Sequence, residues 1–203
     1  MIQTNNSAQS GFALLITLLT VGVIISATLA IVELSRLQLR LSVDSRDAEM
    51  AFSAANAAKE CAQYIRNAHS DGIRAGQNRI NTNCLEQSVR VDRVTSLEFG
   101  TPSSVGSNGN DVYRYRSLIN WDASGANRCS VIEVIVVYAN TGNITIGGSG
   151  TNSLQRVISN YRGTSMTCVR GSECTIIAAS GYNSTCSNRN AVGVLKREVL
   201  LEF

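Results

Sequence analysis

The sequence predicts an α+β protein in which one long N-terminal helix is followed by an antiparallel β-sheet domain. Residues 12–32 form an uncharged, apolar run, and helix-forming sequence continues from it to about residue 67 without a proline or an interior turn signal. After residue 84 the apolar residues recur with a period of two, between loops rich in Gly, Ser and Asn. A helix first and strands afterwards is the order typical of the α+β class.

The apolar run at 12–32 has the length of a membrane span, because a helix needs about 20 residues to cross the hydrocarbon core. It is too long for the apolar region of an ordinary secretory signal, and no A-x-A-like cleavage site follows it. Residues 1–11 are short and polar, and we interpret them as a leader. We therefore expect a leader at 1–11, a helix at 12–67 whose first half spans the membrane, and a β-rich globular domain at 68–203.

Beyond residue 32 the helix becomes amphipathic and then rich in alanine. Leu34, Leu37 and Leu41 recur at helical spacing, with charged residues between them. Further on, a set of small or apolar side chains shares one helical face: Ala51, Ala54, Ala58, Cys61 and Ile65. An alanine face permits close contact with a flat partner, so we expect this part of the helix to dock on the sheet and the preceding part to protrude.

Six segments after the helix have the composition and periodicity of strands: 84–91, 112–121, 130–138, 154–161, 175–179 and 194–203. Residues 130–138 are apolar at nearly every position, which predicts a central strand buried on both faces. The last segment mixes charged and apolar residues and suits an outer strand. Residues 68–83 are a polar connection with Gly72 and Gly76 as breakers, and 101–111, 139–153 and 181–193 are loops.

Composition and motifs disfavour several classes of function. The net charge of +3 is modest and the basic residues are scattered, which argues against a dedicated nucleic-acid binder. No catalytic motif is present, and the one histidine, His69, suits helix capping or solvent better than general-base catalysis. Residues 108–111 lack the acidic density of a calcium loop, and no zinc-like spacing occurs. We expect a protein that is not an enzyme and holds no metal or cofactor.

All six cysteines lie C-terminal to the apolar run. An even number on one side of a membrane anchor suggests disulfides formed in an oxidising compartment. Six cysteines allow many connectivities, and the sequence does not choose among them. Our working guess ties the helix end to the first strand, closes one small loop, and clips a central strand to the loop before the last strand: Cys61–Cys84, Cys168–Cys174 and Cys129–Cys186.

Gly11-Phe12, followed by an apolar run that merges into a long amphipathic helix and then a cysteine-bearing β domain, resembles the type IV pilin-like proteins. That family comprises major pilins, minor pilins and the pseudopilins of type II secretion. The resemblance covers residues 10–66 and extends to the β domain only in architecture and cysteine placement. It implies that a prepilin peptidase cleaves after Gly11 and that Phe12 becomes the N-methylated first residue. The segment RDAEMAF at 46–52 is similar to minor pilin-like proteins.

Two features depart from the family pattern. Most major pilins carry a glutamate at the fifth mature position, where it neutralises a neighbour's N-terminal amine in the filament core; here that position is Ile16. Its absence resembles tip-located or low-abundance members and implies a minor subunit. The leader lacks Lys and Arg, whereas Arg36 and Arg40 follow the span, so the positive-inside rule alone would place the C-terminal side in the cytoplasm. The cysteines and the resemblance imply the opposite orientation, which we adopt.

The resemblance implies a structural subunit, minor in abundance, of a type IV pilus or related filament that assembles through its N-terminal helix. The implied partners are other pilin subunits, the prepilin peptidase, the pilus assembly platform and, through residues 12–32, the membrane; no specific nucleic acid is expected. The implied location is the cytoplasmic membrane, with the C-terminal domain outside the cytoplasm, and then the cell surface. Loops 101–111 and 139–153 are candidates for subunit contact or adhesion.

Several alternatives remain open at this point. A pseudopilin of a type II-like secretion system would have the same features. A membrane-anchored extracytoplasmic binding domain that does not polymerise would keep its leader uncleaved. An anchored hydrolase and a protein that binds DNA through its scattered arginines are weaker alternatives.

Overall fold

The structure, a computed structural model, describes residues 7–95, 111–121 and 128–203, with the side chains of 7–11 and 151 left out. The first six residues of the expected leader, and residues 101–110, which include most of the segment 108–111, lie outside the described residues. Two compact units follow each other along the chain, Met1–Arg46 and Asp47–Phe203.

Helix α1 (Ser7–Ala68) is continuous over 62 residues. It begins inside the segment interpreted as a leader, because a helix can continue through polar residues and one glycine at a cost of only about 1 kcal/mol. Residues 12–46 are exposed throughout. The helix is long and apolar enough in this part to cross a membrane, which agrees with the expected anchor.

The described residues of the unit Asp47–Phe203 form the docked end of α1, a short helix and eight strands: α2 (Ser70–Arg74), β1 (Arg79–Cys84), β2 (Gln87–Arg93), β3 (Asp111–Asn120), β4 (Cys129–Tyr138), β5 (Ile144–Gly147), β6 (Ser165–Cys168), β7 (Glu173–Tyr182) and β8 (Lys196–Glu202). Six strands form one sheet in the order β1-β2-β3-β4-β7-β8, and β5 pairs with β6. Every pairing is antiparallel. The expected α+β class is confirmed at this level.

The alanine face of α1 packs directly on the large sheet, as the sequence predicts. Ala51, Ala58 and Cys61 have no exposed surface. Gly181 on β7 lies so close beneath the helix that a methyl group there would be 2.1 Å from the carbonyl oxygen of Ala51. A second core lies on the other side of the sheet, under β5, β6 and the turns between them, and includes Ile135, Ile144, Ile146, Leu154 and Ile176.

The features predicted for two strands are confirmed, and one predicted strand is wrong. Strand β4 is central and buried at every position, and β8 is an outer strand, both as expected. The strand predicted at 154–161 is wrong: it contains a 3₁₀ turn, Leu154–Arg156, followed by further turns. Its buried residues Leu154, Ile158 and Tyr161 are spaced by four and three positions, which is a helical rather than an alternating pattern.

Three strands and one helix were not predicted. The polar connection expected at 68–83 contains α2 and β1, and the loop expected at 139–153 contains β5, whose Ile144 and Ile146 are buried. Strand β6 lies in a segment to which no strand was assigned. Strands β1, β5 and β6 each bury only two residues, two positions apart in β5 and β6 and four apart in β1, so their hydrophobic signal is short.

Candidate functional site

The residues that the resemblance singles out lie in the exposed N-terminal part of α1. Gly11 is helical, and Phe12 and Ile16 are 68% and 43% exposed. The apolar side chains from Phe12 to Val32 are all exposed in the same way. This part of the chain therefore presents an apolar surface on every side of the helix, which is characteristic of a helix surrounded by lipid or by other helices.

Hydroxyl groups within the apolar segment are satisfied inside the helix itself. Thr17, Thr20, Ser26 and Thr28 each donate a hydrogen bond to a backbone carbonyl three or four residues earlier, at 2.6–3.2 Å. A hydroxyl group without such a partner would be costly in an apolar environment. These bonds reduce the free-energy cost of placing the four hydroxyl groups in a membrane or in a bundle of helices.

Three disulfides connect the elements of the second unit, and no free cysteine remains. They join α1 to β1, the start of β4 to the segment before β8, and β6 to β7: Cys61–Cys84, Cys129–Cys186 and Cys168–Cys174. These are the same three pairs as the working guess from the sequence. Each bond links segments that already pack together, so the docked half of α1 and both sheets form one covalently connected unit.

A polar chain of contacts holds the first docked turns of α1. The hydroxyl of Ser130, at the start of β4, donates to the backbone carbonyl of Ala54 at 2.7 Å. The same hydroxyl accepts a hydrogen bond from the indole Nε1 of Trp121 at 2.8 Å. Ser130 is fully buried, so these partners satisfy a group that would otherwise be costly to desolvate.

An ionic cluster holds the end of α1. Arg66 pairs with Glu173 on β7, and its Nε donates to the hydroxyl of Thr175 at 3.2 Å. Glu173 also pairs with Arg74 of α2 at 3.1 Å. The guanidinium of Arg74 lies 5.2 Å from the ring centre of Tyr138, a cation–π distance. Together with the serine contacts, this cluster fixes both ends of the docked segment.

The described residues offer no clear catalytic or metal-binding arrangement. No group of three His, Cys, Asp or Glu side chains in that part of the chain could hold a metal ion. His69 occupies the N-cap position of α2 but makes no side-chain capping bond. The large pKa shifts are those of buried tyrosines: burial raises the pKa of Tyr115 and of Tyr161 to about 12. Their hydroxyls donate to Gln77 and Glu202, which are packing contacts.

Comparisons with protein-family models, with curated proteins and with solved structures find no significant match. Function is therefore inferred from the chain's own residues and geometry.

Proposed function

We propose that this chain is a structural subunit, minor in abundance, of a type IV pilus or a related filament. It is processed after Gly11 and assembles through its N-terminal helix. The observation that supports this most directly is that the two parts of α1 have different surroundings. Residues 12–46 are exposed and largely apolar, whereas the later part docks through small side chains on a disulfide-linked sheet. Such a helix combines an anchor or packing element with a rigid attachment to a folded domain.

The apolar segment would serve in two environments. Before assembly it holds the subunit in the membrane, and in the filament it packs among equivalent helices, so apolar contact replaces lipid. The internally bonded hydroxyls suit both surroundings. Ile16 supplies no carboxylate to a neighbouring N-terminal amine, which is why a minor position is proposed rather than that of the main building block.

The three disulfides support placing the domain outside the cytoplasm. Disulfides persist in oxidising compartments and are rare in the cytosol. Arg36 and Arg40, which follow the apolar segment, favour the reverse orientation by the positive-inside rule. We give the disulfides more weight, because all six cysteines are paired and five of them are buried.

Mass spectrometry of the N-terminus, on protein from the native membrane or surface fraction, tests the proposal. The expected mature chain begins at N-methylated Phe12. A Gly11→Val variant should retain the whole leader, whereas Gly22→Val, the matched change within the apolar segment, should still be processed. An intact N-terminus at Met1 in the unaltered chain would contradict the proposal and favour a membrane-anchored binding domain that does not polymerise.

Processing alone does not distinguish a pilus from a secretion pseudopilus, since both use the same peptidase reaction. Recovery of the mature chain in filaments sheared from the cell surface would support the pilus. Its retention in the cell envelope, with loss of protein export when the chain is deleted, would indicate a pseudopilin.

A further inference from the structure

A row of alternating charges crosses four neighbouring strands of the large sheet. The register places Arg79 of β1 opposite Asp92 of β2, Asp92 opposite Arg116 of β3, and Arg116 opposite Glu133 of β4. Ion pairs connect Arg79 to Asp92 at 3.0 Å and Arg116 to Glu133 at 3.1 Å. We call these four residues the charge row. Opposite charges on facing strand positions stabilise a sheet, so the row is part of the fold.

The charge row lies on the face of the sheet opposite to α1. Successive side chains of a strand point to opposite faces. Ile80 of β1 and Val91 of β2 belong to the core that contains the docked face of α1. Their neighbours Arg79 and Asp92 therefore point the other way.

Two further arginines give the part of this face on β1–β4 an excess of positive charge. Arg90 donates through Nε to both oxygens of Asp92, at 3.0 and 2.8 Å. Arg114 is buried and pairs with Glu133 at 3.0 Å. Asp92 and Glu133 are thus each shared between two arginines. The hydrogen bond from Arg90, followed by that from Arg79, lowers the pKa of Asp92, so its carboxylate stays charged.

Three of these guanidinium groups are accessible. The side chains of Arg79, Arg90 and Arg116 are 54%, 56% and 44% exposed. The ion pairs of all three are made through Nε. A depression of about 390 Å³ lies beside two of them, and it is lined by Arg90, Asp92, Val94, Arg116, Ser117 and Leu118. Arg90 and Arg116 therefore supply donors at a concave surface, and Arg79 is joined to it through Asp92.

Uncharged polar groups extend this face. Asn81 and Asn83 alternate with buried or half-buried positions on β1, so they lie on the same side as Arg79, and both are exposed. Ser88 on β2 is exposed as well. Among the described residues of β1–β3, the tyrosines Tyr113 and Tyr115 alternate with Arg114 and lie on the opposite face. Among the described residues of β1–β3, this surface therefore combines guanidinium, amide and hydroxyl groups without an aromatic ring.

We propose that this face binds an acidic polysaccharide that bears carboxylate groups. Guanidinium groups match carboxylates in charge and in hydrogen-bond geometry, and amides and hydroxyls match the hydroxyl groups of sugars. A single-stranded nucleic acid would use aromatic stacking, which the described residues of this face do not offer. A duplex would require many more cations, because its affinity comes mainly from phosphate neutralisation. The site goes beyond filament assembly and does not depend on it.

Binding of the full chain in detergent micelles to immobilised polygalacturonate tests the proposal. The Arg79→Gln/Arg90→Gln double variant should bind about tenfold more weakly, given the modest strength of exposed ion pairs. The single variant Arg162→Gln, an exposed arginine in another segment, should bind as the unaltered chain does. Asp92→Asn should bind severalfold more tightly, because it removes the carboxylate that competes for Arg79 and Arg90. A gain of affinity is not an effect that misfolding produces.

Three further polymers complete the experiment. The methyl-esterified polymer, which keeps the hydroxyls but lacks the carboxylates, should not bind. An oligonucleotide duplex and a single strand of similar charge should bind more weakly than polygalacturonate at the same salt concentration. The proposal is overturned if polygalacturonate fails to bind, or if the double variant and Arg162→Gln lose affinity equally. It is also overturned if Asp92→Asn weakens binding. Tighter binding of DNA, with the same dependence on Arg79 and Arg90, would overturn it in favour of a nucleic-acid site.

Discussion

At the scale of single residues, the close approach of α1 to the sheet depends on the missing side chain of Gly181. A Cβ atom at this position would lie 2.1 Å from the oxygen of Ala51 and 2.3 Å from the nitrogen of Ala55. Both are backbone atoms, so they cannot move aside as a flexible side chain can. We expect Gly181→Ala to lower the free energy of unfolding by roughly 1–3 kcal/mol, the usual cost of overpacking.

Urea denaturation of the full chain in detergent measures this effect. Gly148→Ala is the matched control, because a methyl group there would meet only the Asn152 side chain at 3.9 Å. The control should change stability by less than about 0.5 kcal/mol. Equal effects of the two substitutions would show that the helix is not held against β7 as described.

A second residue-scale prediction concerns Tyr161, whose side chain joins the turn segment to β8. Burial, with the hydrogen bond to Glu202, raises its pKa to about 12. The folded chain therefore keeps a proton that the unfolded chain loses near pH 10. The stabilisation is complete below about pH 10 and is lost as the pH rises toward 12.

Comparison of urea midpoints at pH 8 and pH 11 tests this. The unaltered chain should lose stability at pH 11, and Tyr161→Phe should lose less between the two pH values, because it cannot ionise. Tyr64→Phe, at an exposed position, should behave as the unaltered chain does. Tyr115 has the same raised pKa and should retain part of the pH dependence in every variant. An unchanged pH dependence in Tyr161→Phe would contradict the prediction.

At the scale of elements, the sequence predicts best where one periodicity extends over many residues. The alanine face of α1 and the buried strand β4 have such signals, and both were predicted. Residues 154–161 carry buried apolar residues as well, and their composition and apparent alternation predicted a strand, but the spacing of four and three between the buried residues fits turns. The short strands β1, β5 and β6 bury two residues each, which is too few to separate them from polar loops.

The charge row could not be predicted for a different reason. Arg79, Asp92, Arg116 and Glu133 are far apart in sequence and look like the scattered charges of a solvated surface. They come together only through the register of three strand pairings. Register depends on the packing of whole faces and on turn geometry, so no local pattern reveals such a surface.

The three disulfides differ in the length of chain that each one closes, and we expect their contributions to follow that length. The sequence separations are 57, 23 and 6 residues, for Cys129–Cys186, Cys61–Cys84 and Cys168–Cys174. Because each bond restricts the unfolded chain, replacing each pair by alanines should lower the free energy of unfolding by roughly 4, 3 and 2 kcal/mol, in the same order. Urea denaturation of the three double variants measures the order. A reversed order would mean that native packing around the bonds, rather than chain restriction, dominates.

At the scale of the whole molecule, the two units require different surroundings. The unit Asp47–Phe203 has buried hydrophobic cores of its own, whereas the apolar residues at 12–32 are exposed. An apolar helix of this length needs lipid or other helices to cover its surface. The anchor and the folded domain should therefore respond independently to substitution.

A charge placed within the apolar segment should impair membrane insertion without impairing the folding of the second unit. Val23 and Val43 are both exposed valines of α1, one near the middle of the segment at 12–32 and one beyond it. An aspartate at the centre of a spanning helix costs about 2.5–3.5 kcal/mol of insertion free energy. We expect Val23→Asp to lower the fraction of chain that stays in the membrane pellet after an alkaline wash, while Val43→Asp behaves as the unaltered chain does. Both sites lie outside the folded domain, so its disulfides should form in both variants wherever the domain is exported. Equal loss of the two variants from the pellet would place the anchor elsewhere in α1.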